Sequence, residues 1–217
     1  HVHGGIDPVG DAETVNAELL LADLATVERR LEQASRAAKS GDPKRRAEAA
    51  ALERLRDHLA KGGPARTFPE PGEVSEVLRT LLTAKPTLYV ANVDEGSLAA
   101  GNAYSAAVEE LAGREGAGAV RLCARLAAEL AELPAEEARE YLGVLGVEES
   151  GFEEFVRAAY RLLGLITFFT FNERECRAWT VREGATAREA AGRIHTDMER
   201  GFVAAEVGRW EDIVAAG

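Results

Sequence analysis

The first sixty residues carry their apolar positions in alternating steps of four and three. Leu20, Leu24, Val27, Leu31, Ala34 and Ala38 fall on one helical stripe, the seam of a helix packed as in a coiled coil. Asp11 stands ahead of the stripe as a candidate N-cap. At "SGDP" (40–43) the pattern breaks. Gly41 suits a helix C-terminus, Asp42 the cap of a following helix, and Pro43 its first position. Ala49, Leu52, Leu55 and Leu59 form a second stripe, so residues 11–61 predict two antiparallel helices in a hairpin. A Pro/Gly-rich connection, "KGGPARTFPEPGE" (61–73), leads to a short helix near 73–83.

The period then changes. Leu88, Tyr89, Val90 and Ala91 read as a buried strand that stops in Asn92-Val93-Asp94-Glu95. Strand 87–91, helix 102–113, strand 119–123 and helical segments through 164 alternate β with α, which predicts a parallel sheet with covering helices. Gly113–Gly118 has the composition of a helix-to-strand turn. From about 165, "LITFFTF" and "ECRAWTV" read as two strands of a hairpin turning at Asn172-Glu173-Arg174. "TAREAAGRIH" reads as a helix, "TDMERGF" as a turn and "VAAEV" as a further short strand, together a small α+β module of the β-grasp type.

Composition narrows the class. A chain of 217 residues allows one large domain or two to three small ones, and 46% hydrophobic residues can form a core. The net charge of −11 argues against binding nucleic acid through a broad basic surface. Cys123 and Cys176 are too few for a disulfide framework, which favours a reducing compartment. No apolar run approaches the roughly 18–20 residues that span a bilayer. The opening "HVHGGIDPVG" has neither the basic nor the apolar region of a signal peptide. The expectation is a soluble cytoplasmic protein without a membrane partner. The chain also opens without methionine, in what reads as the middle of a domain.

Candidate chemistry sits where the strands end, because ligands of open α/β sheets bind at the carboxyl edge. Nucleotide hydrolases of the GTPase class end a strand in Asn-Lys-x-Asp, in which the Asn braces the loop and the acid accepts from guanine N1 and the exocyclic amine. Here the spacing persists as Asn92-Val93-Asp94-Glu95, with Val for Lys and Glu for Asp. Adenine offers an acceptor at N1, which a carboxylate repels, so the longer acid and lost Lys weaken guanine selection. Cys123-Ala124-Arg125 ends the next strand, where the same class places a Ser-Ala-x turn whose backbone amides touch the base. An ordinary polar βα turn is the plainer reading of residues 92–95.

Long stretches carry a wider likeness: "HVHGGIDPVGDAETVNAELLLADL", "LLTAKPTLYVANVDE", "LCARLAAELAEL", "GLITFFTFNERECRAWTVREGATAREAAGRIHTDMERGFVAAEV" and "WEDIV". In these the chain resembles the YchF family of Obg-like ATPases over essentially its whole length. The resemblance implies an α/β P-loop nucleotide hydrolase. Its partial G domain is expected at 1–12 and 84–164, interrupted by a helical hairpin domain at 13–83 and followed by a β-grasp TGS domain at 165–217. It further implies hydrolysis of ATP, with Mg²⁺, in preference to GTP, and association with ribosomal RNA and proteins. By position, Asn92, Val93 and Glu95 become the base loop, and Cys123 with Ala124 the second one.

The departures concern the phosphates. The family's Gly-rich phosphate loop, switch segments and Asp-x-x-Gly stretch fall before this chain begins, and no G-x-x-x-x-G-K-[ST] occurs in residues 1–217. The chain also stops short of the last TGS strand or strands, and "FNERE" (171–175) replaces an Ala-Gly and Lys-rich turn. The expectation is a segment of a longer protein, inactive by itself, with no catalytic or metal-binding residue of its own. A competing expectation is a non-catalytic module that docks to ribosome, RNA or protein through the hairpin and TGS-like part.

Weaker candidates remain. His195, Asp197 and Glu199 are conceivable metal ligands, although Thr196 or Asp197 capping a short helix explains them more simply. Cys123 in a partly exposed loop is a conceivable redox sensor. Phe168 and Trp179 suit the core of the last module better than a stacking platform. Arg174, Arg177, Arg182 and Arg188 form either one basic face, a possible ribosomal RNA contact, or a solvated mixed-charge surface.

Overall fold

A computed structural model describes residues 5–216. The outermost ends of the first and last expected domains, residues 1–4 and 217, lie outside the described residues. Helix α1 spans Pro8–Ala38. Its N-cap is Asp7, whose Oδ1 accepts from the Gly10 N–H at 3.0 Å, not Asp11 as expected. Pro8 explains the earlier start, because proline has no N–H to lose and a fixed φ that suits the first helical position. Asp11 sits in the first turn, where a carboxylate complements the positive helix end.

Gly41, at φ +86°, reverses the chain in a conformation that favours glycine. Helix α2, Pro43–Ala60, then starts as expected, with the Asp42 carboxylate accepting from the Lys44 N–H at 2.9 Å. The two helices pack through Val27, Ala34, Ala51, Leu52, Leu55 and Leu59, and Ala65, Val74 and Leu81 close that core. Leu20, Leu24 and Leu31 are only partly buried against it. A 3-10 turn at Gly72–Val74 and helix α3 at Ser75–Leu78 occupy the stretch where a short helix was expected.

Strand β1, Leu88–Asn92, pairs in parallel with β2, Gly118–Leu122, in the register Leu88 to Gly118 through Asn92 to Leu122. The crossover is helix α4, Ala103–Glu115. An Asn102–Ser105 capping box starts it and Gly116, left-handed at φ +64°, ends it. Val108, Leu111 and Ala112 are its buried apolar positions, and Ser105 of the capping box is buried with them. β1 is not the buried strand expected, since Val90 remains 42% exposed. Two strands and a covering helix leave part of β1 open. A polar network joins the layers: Asn16 of α1 donates to the Tyr89 hydroxyl at 2.7 Å, Tyr89 donates to Glu115 at 2.9 Å, and Arg66 reaches Glu115 at 3.2 Å. Helices α5, Ala124–Leu130, and α6, Ala135–Val144, follow β2. Leu98, Cys123, Leu126 and Leu142 form their core.

The chain divides into two compact units, the first ending at Ser150 and the second beginning at Gly151. Helix α7, Phe152–Leu162, therefore belongs with the strands that follow it. Strands β3, Leu165–Phe171, and β4, Cys176–Arg182, are antiparallel. Their turn closes on Asn172, whose Oδ1 accepts from the N–H groups of Arg174 at 2.8 Å and Glu175 at 3.1 Å. Helix α8, Ala187–Ile194, opens with a Thr186–Glu189 capping box. The expected turn "TDMERGF" contains helix α9, Thr196–Arg200, and α10 follows at Trp210–Ala216. "VAAEV" (203–207) is not a strand. Among the described residues it has no ladder partner, and Val203 and Val207 are 93% and 83% exposed.

Candidate functional site: two loops at one sheet edge

Asn92 and Leu122 are register partners at the carboxyl ends of β1 and β2, and the Val93 N–H donates to the Leu122 carbonyl at 2.9 Å. Two βα loops therefore leave the sheet side by side. Asn92 Oδ1 accepts from the Ala124 N–H at 3.0 Å. Ala124 opens α5, and Cys123 ahead of it contributes no side-chain cap. The first N–H groups of a helix lack partners in the helix itself. Asn92 thus supplies from β1 the cap that α5 lacks, and that bond joins the loops. The amide NH₂ of the same side chain is a donor suited to purine N7, an acceptor shared by adenine and guanine. A donor of that kind does not distinguish the two purines.

Glu95 stands three residues further along the same loop. Asp94 Oδ1 accepts from the Ser97 N–H at 2.9 Å, capping the 3-10 turn Glu95–Ser97 that carries it. Arg125 Nη2 reaches Glu95 Oε1 at 2.6 Å, and the Tyr141 hydroxyl donates to Oε2 at 3.4 Å. Arg125 is raised above its ordinary pKa chiefly by the hydrogen bond to Glu95. The Tyr141 phenol is raised chiefly by the Glu95 charge. Both side chains converge on one carboxylate at the loop mouth.

The other expected residues have different work. Val93 is half-buried against the Leu98, Cys123, Leu126 and Leu142 cluster and anchors the loop. Cys123 is 2% exposed, against the partly exposed thiol expected, and its N–H donates to the Ser150 carbonyl at 3.3 Å. It packs below the loop, out of reach of an oxidant in solvent, so the redox reading falls. Arg125 was visible only as the third residue of the second turn. Tyr141 arrives from α6, 46 residues beyond Glu95, with no local signal to mark it.

Outside this edge the remaining candidates resolve simply. His195 itself caps α9, its Nδ1 accepting from the Asp197 N–H at 3.2 Å. Arg177 pairs with Glu175 at 3.0 Å, and Arg188 donates to the Glu199 carbonyl at 3.2 Å. Arg177 and Arg182 are an odd number of residues apart on β4 and so project from opposite faces, which breaks up a single basic face. Phe168 and Trp179 are half-buried register partners, and Trp179 Nε1 donates to Thr170 at 2.8 Å. Among the described residues no three His, Cys, Asp or Glu side chains gather to hold a metal ion, and no helix is long and apolar enough to cross a membrane.

Comparison with known proteins extends the picture. Residues 165–217 match the family YchF-GTPase_C, described as "Protein of unknown function (DUF933)". The Bacillus subtilis protein "Ribosome-binding ATPase YchF" is 43% identical over 221 residues, covering 100% of this chain and 60% of that protein. The Escherichia coli protein of the same name is 44% identical over 216 residues, covering 99% and 59%. Over its whole length the chain is similar to proteins of the YchF family. A solved structure, "Structure of the Schizosaccharomyces pombe YchF GTPase", superimposes with a TM-score of 0.81 at 30% identity, covering 94% of this chain and 56% of that one. The chain thus spans about 60% of the length of the YchF relatives it matches.

Proposed function

We propose that these residues form the base-recognition face of a cytoplasmic, ribosome-associated nucleoside triphosphate hydrolase that takes ATP in preference to GTP. The observation that carries the reading is the Asn92 Oδ1 to Ala124 N–H bond, which joins two βα loops at the carboxyl edge of a parallel strand pair. The names of the bacterial relatives support an ATPase that binds ribosomes. The fission-yeast relative is titled a GTPase, so base choice rests on the chemistry around Glu95.

In this reading Asn92, Val93 and Glu95 form the first base loop, and Cys123 and Ala124 the second. We assign residues 1–12 and 84–164 to a G domain, 13–83 to an inserted helical hairpin domain and 165–217 to a TGS domain; the break between compact units, at Ser150–Gly151, falls inside the first of these and leaves α7 with the strands after it. Mg²⁺ does not fit the described residues, which offer no gathered ligand set. With no G-x-x-x-x-G-K-[ST] in residues 1–217, the phosphates and metal are handled by other parts of the complete protein.

The test is Asn92→Ala in the complete protein. The variant loses both the cap of α5 and the purine contact. A hydrogen-bonded contact of this kind contributes about 1–3 kcal/mol, so ATP and GTP affinities are both expected to fall by roughly five-fold or more. Unchanged nucleotide affinity, measured by competition against a fluorescent analogue, would refute the base-loop reading. A chain acting only as a ribosome, RNA or protein docking module would show that unchanged affinity while still sedimenting with ribosomes.

A further inference from the structure

Both oxygens of the Glu95 carboxylate already face donors from this protein, the Arg125 guanidinium at 2.6 Å and the Tyr141 hydroxyl at 3.4 Å. We propose that Arg125 is a specificity-determining residue, which by engaging Glu95 withdraws the carboxylate from guanine and biases the site toward adenine nucleotides. The inference rests on the reading of these loops as a base site.

Guanine presents two adjacent donors, N1–H and the exocyclic amine, and a carboxylate that reads both must offer its two oxygens free and side by side. With Oε1 taken by Arg125, guanine either displaces the guanidinium or leaves a donor unpaired against another donor. Adenine carries an acceptor at N1 and makes no such demand. The fold also aims the competitor. Arg125 lies in the first turn of α5, one residue beyond the Ala124 N–H that Asn92 holds, so the bond that joins the loops also brings the guanidinium to Glu95. The Arg125 side chain is 71% exposed and that of Glu95 is 23% exposed. A pair so exposed is screened and weak, so its effect on base choice is several-fold rather than a thousand-fold.

The experiment measures ATP and GTP affinities of the complete protein by competition, for the wild type, Arg125→Met, Arg125→Lys and Asn92→Ala, at low and high salt. Arg125→Met is expected to raise the GTP-over-ATP affinity ratio about five-fold, which corresponds to roughly 1 kcal/mol. Arg125→Lys keeps the charge but not the fork and falls between. Salt screens the exposed pair, so the wild-type ratio rises toward GTP with ionic strength while that of Arg125→Met stays flat. A folded Arg125→Met or Arg125→Lys protein with the wild-type ratio and the wild-type salt response overturns the role of Arg125. If Asn92→Ala still weakens both nucleotides in that case, the base site stands without it. If Asn92→Ala changes neither affinity, the base site goes and the role of Arg125 goes with it.

Discussion

Asp23 has almost no solvent, at 2% exposure, and three donors converge on it. The Leu82 N–H, the Thr83 N–H and the Thr83 hydroxyl each reach its carboxylate at 2.7 Å, and the Thr83 hydroxyl in turn accepts from the Ala65 N–H at 2.9 Å. One side chain of α1 thereby fastens the segment that leads into β1. Removing it strands the buried N–H and hydroxyl of Thr83 and the part-buried N–H of Leu82, and a buried polar group left unsatisfied costs about 1–3 kcal/mol. Asp23→Ala is therefore expected to destabilise the protein by roughly 3–5 kcal/mol in urea denaturation. A loss below about 1 kcal/mol would mean that water or a shifted loop replaces the carboxylate. Nothing near Asp23 in the sequence announces this role, because its partners lie about sixty residues away. Tyr141 was hidden for the same reason. The place of Asn92 was legible because it stands where a strand stops, which is a local fact.

At the scale of elements, capping chemistry explains where the helices begin and end. Asp42-Pro43 starts α2, and Gly116 ends α4 at positive φ. The same chemistry starts α1 at Asp7-Pro8 rather than at Asp11. The heptad pattern identified the faces that meet but not their depth. On α2 Leu52, Leu55 and Leu59 are no more than 1% exposed, whereas Leu24 and Leu31 of α1 stay half-buried. Leu55→Ala should accordingly cost about 2–4 kcal/mol and Leu31→Ala clearly less, as chemical denaturation would show. Equal costs at the two positions would contradict the packing described. The misread "VAAEV" marks the limit of local pattern. Alternating apolar residues make a strand only when another strand supplies the ladder, and none of those described does.

On the scale of the whole molecule, the alternation of β with α predicted the parallel pair, the crossover helix and the sheet edge, and the structure contains all three. The boundary between the compact units was not legible, since no composition shift separates Ser150 from Gly151. We propose that this edge recognises a base while the phosphates are held elsewhere. Base contacts alone leave most of the nucleotide's charge without a partner, and association entropy removes much of what they contribute. The most direct measurement is a titration of the isotopically labelled 217-residue chain, followed by backbone amide shifts, with adenosine and with Mg-ATP. Shifts are expected to cluster at Asn92, Glu95, Cys123 and Ala124 for both ligands, with similar dissociation constants of about 1 mM, equivalent to roughly −4 kcal/mol. Micromolar binding of Mg-ATP but not adenosine, or shifts centred away from these loops, would contradict it.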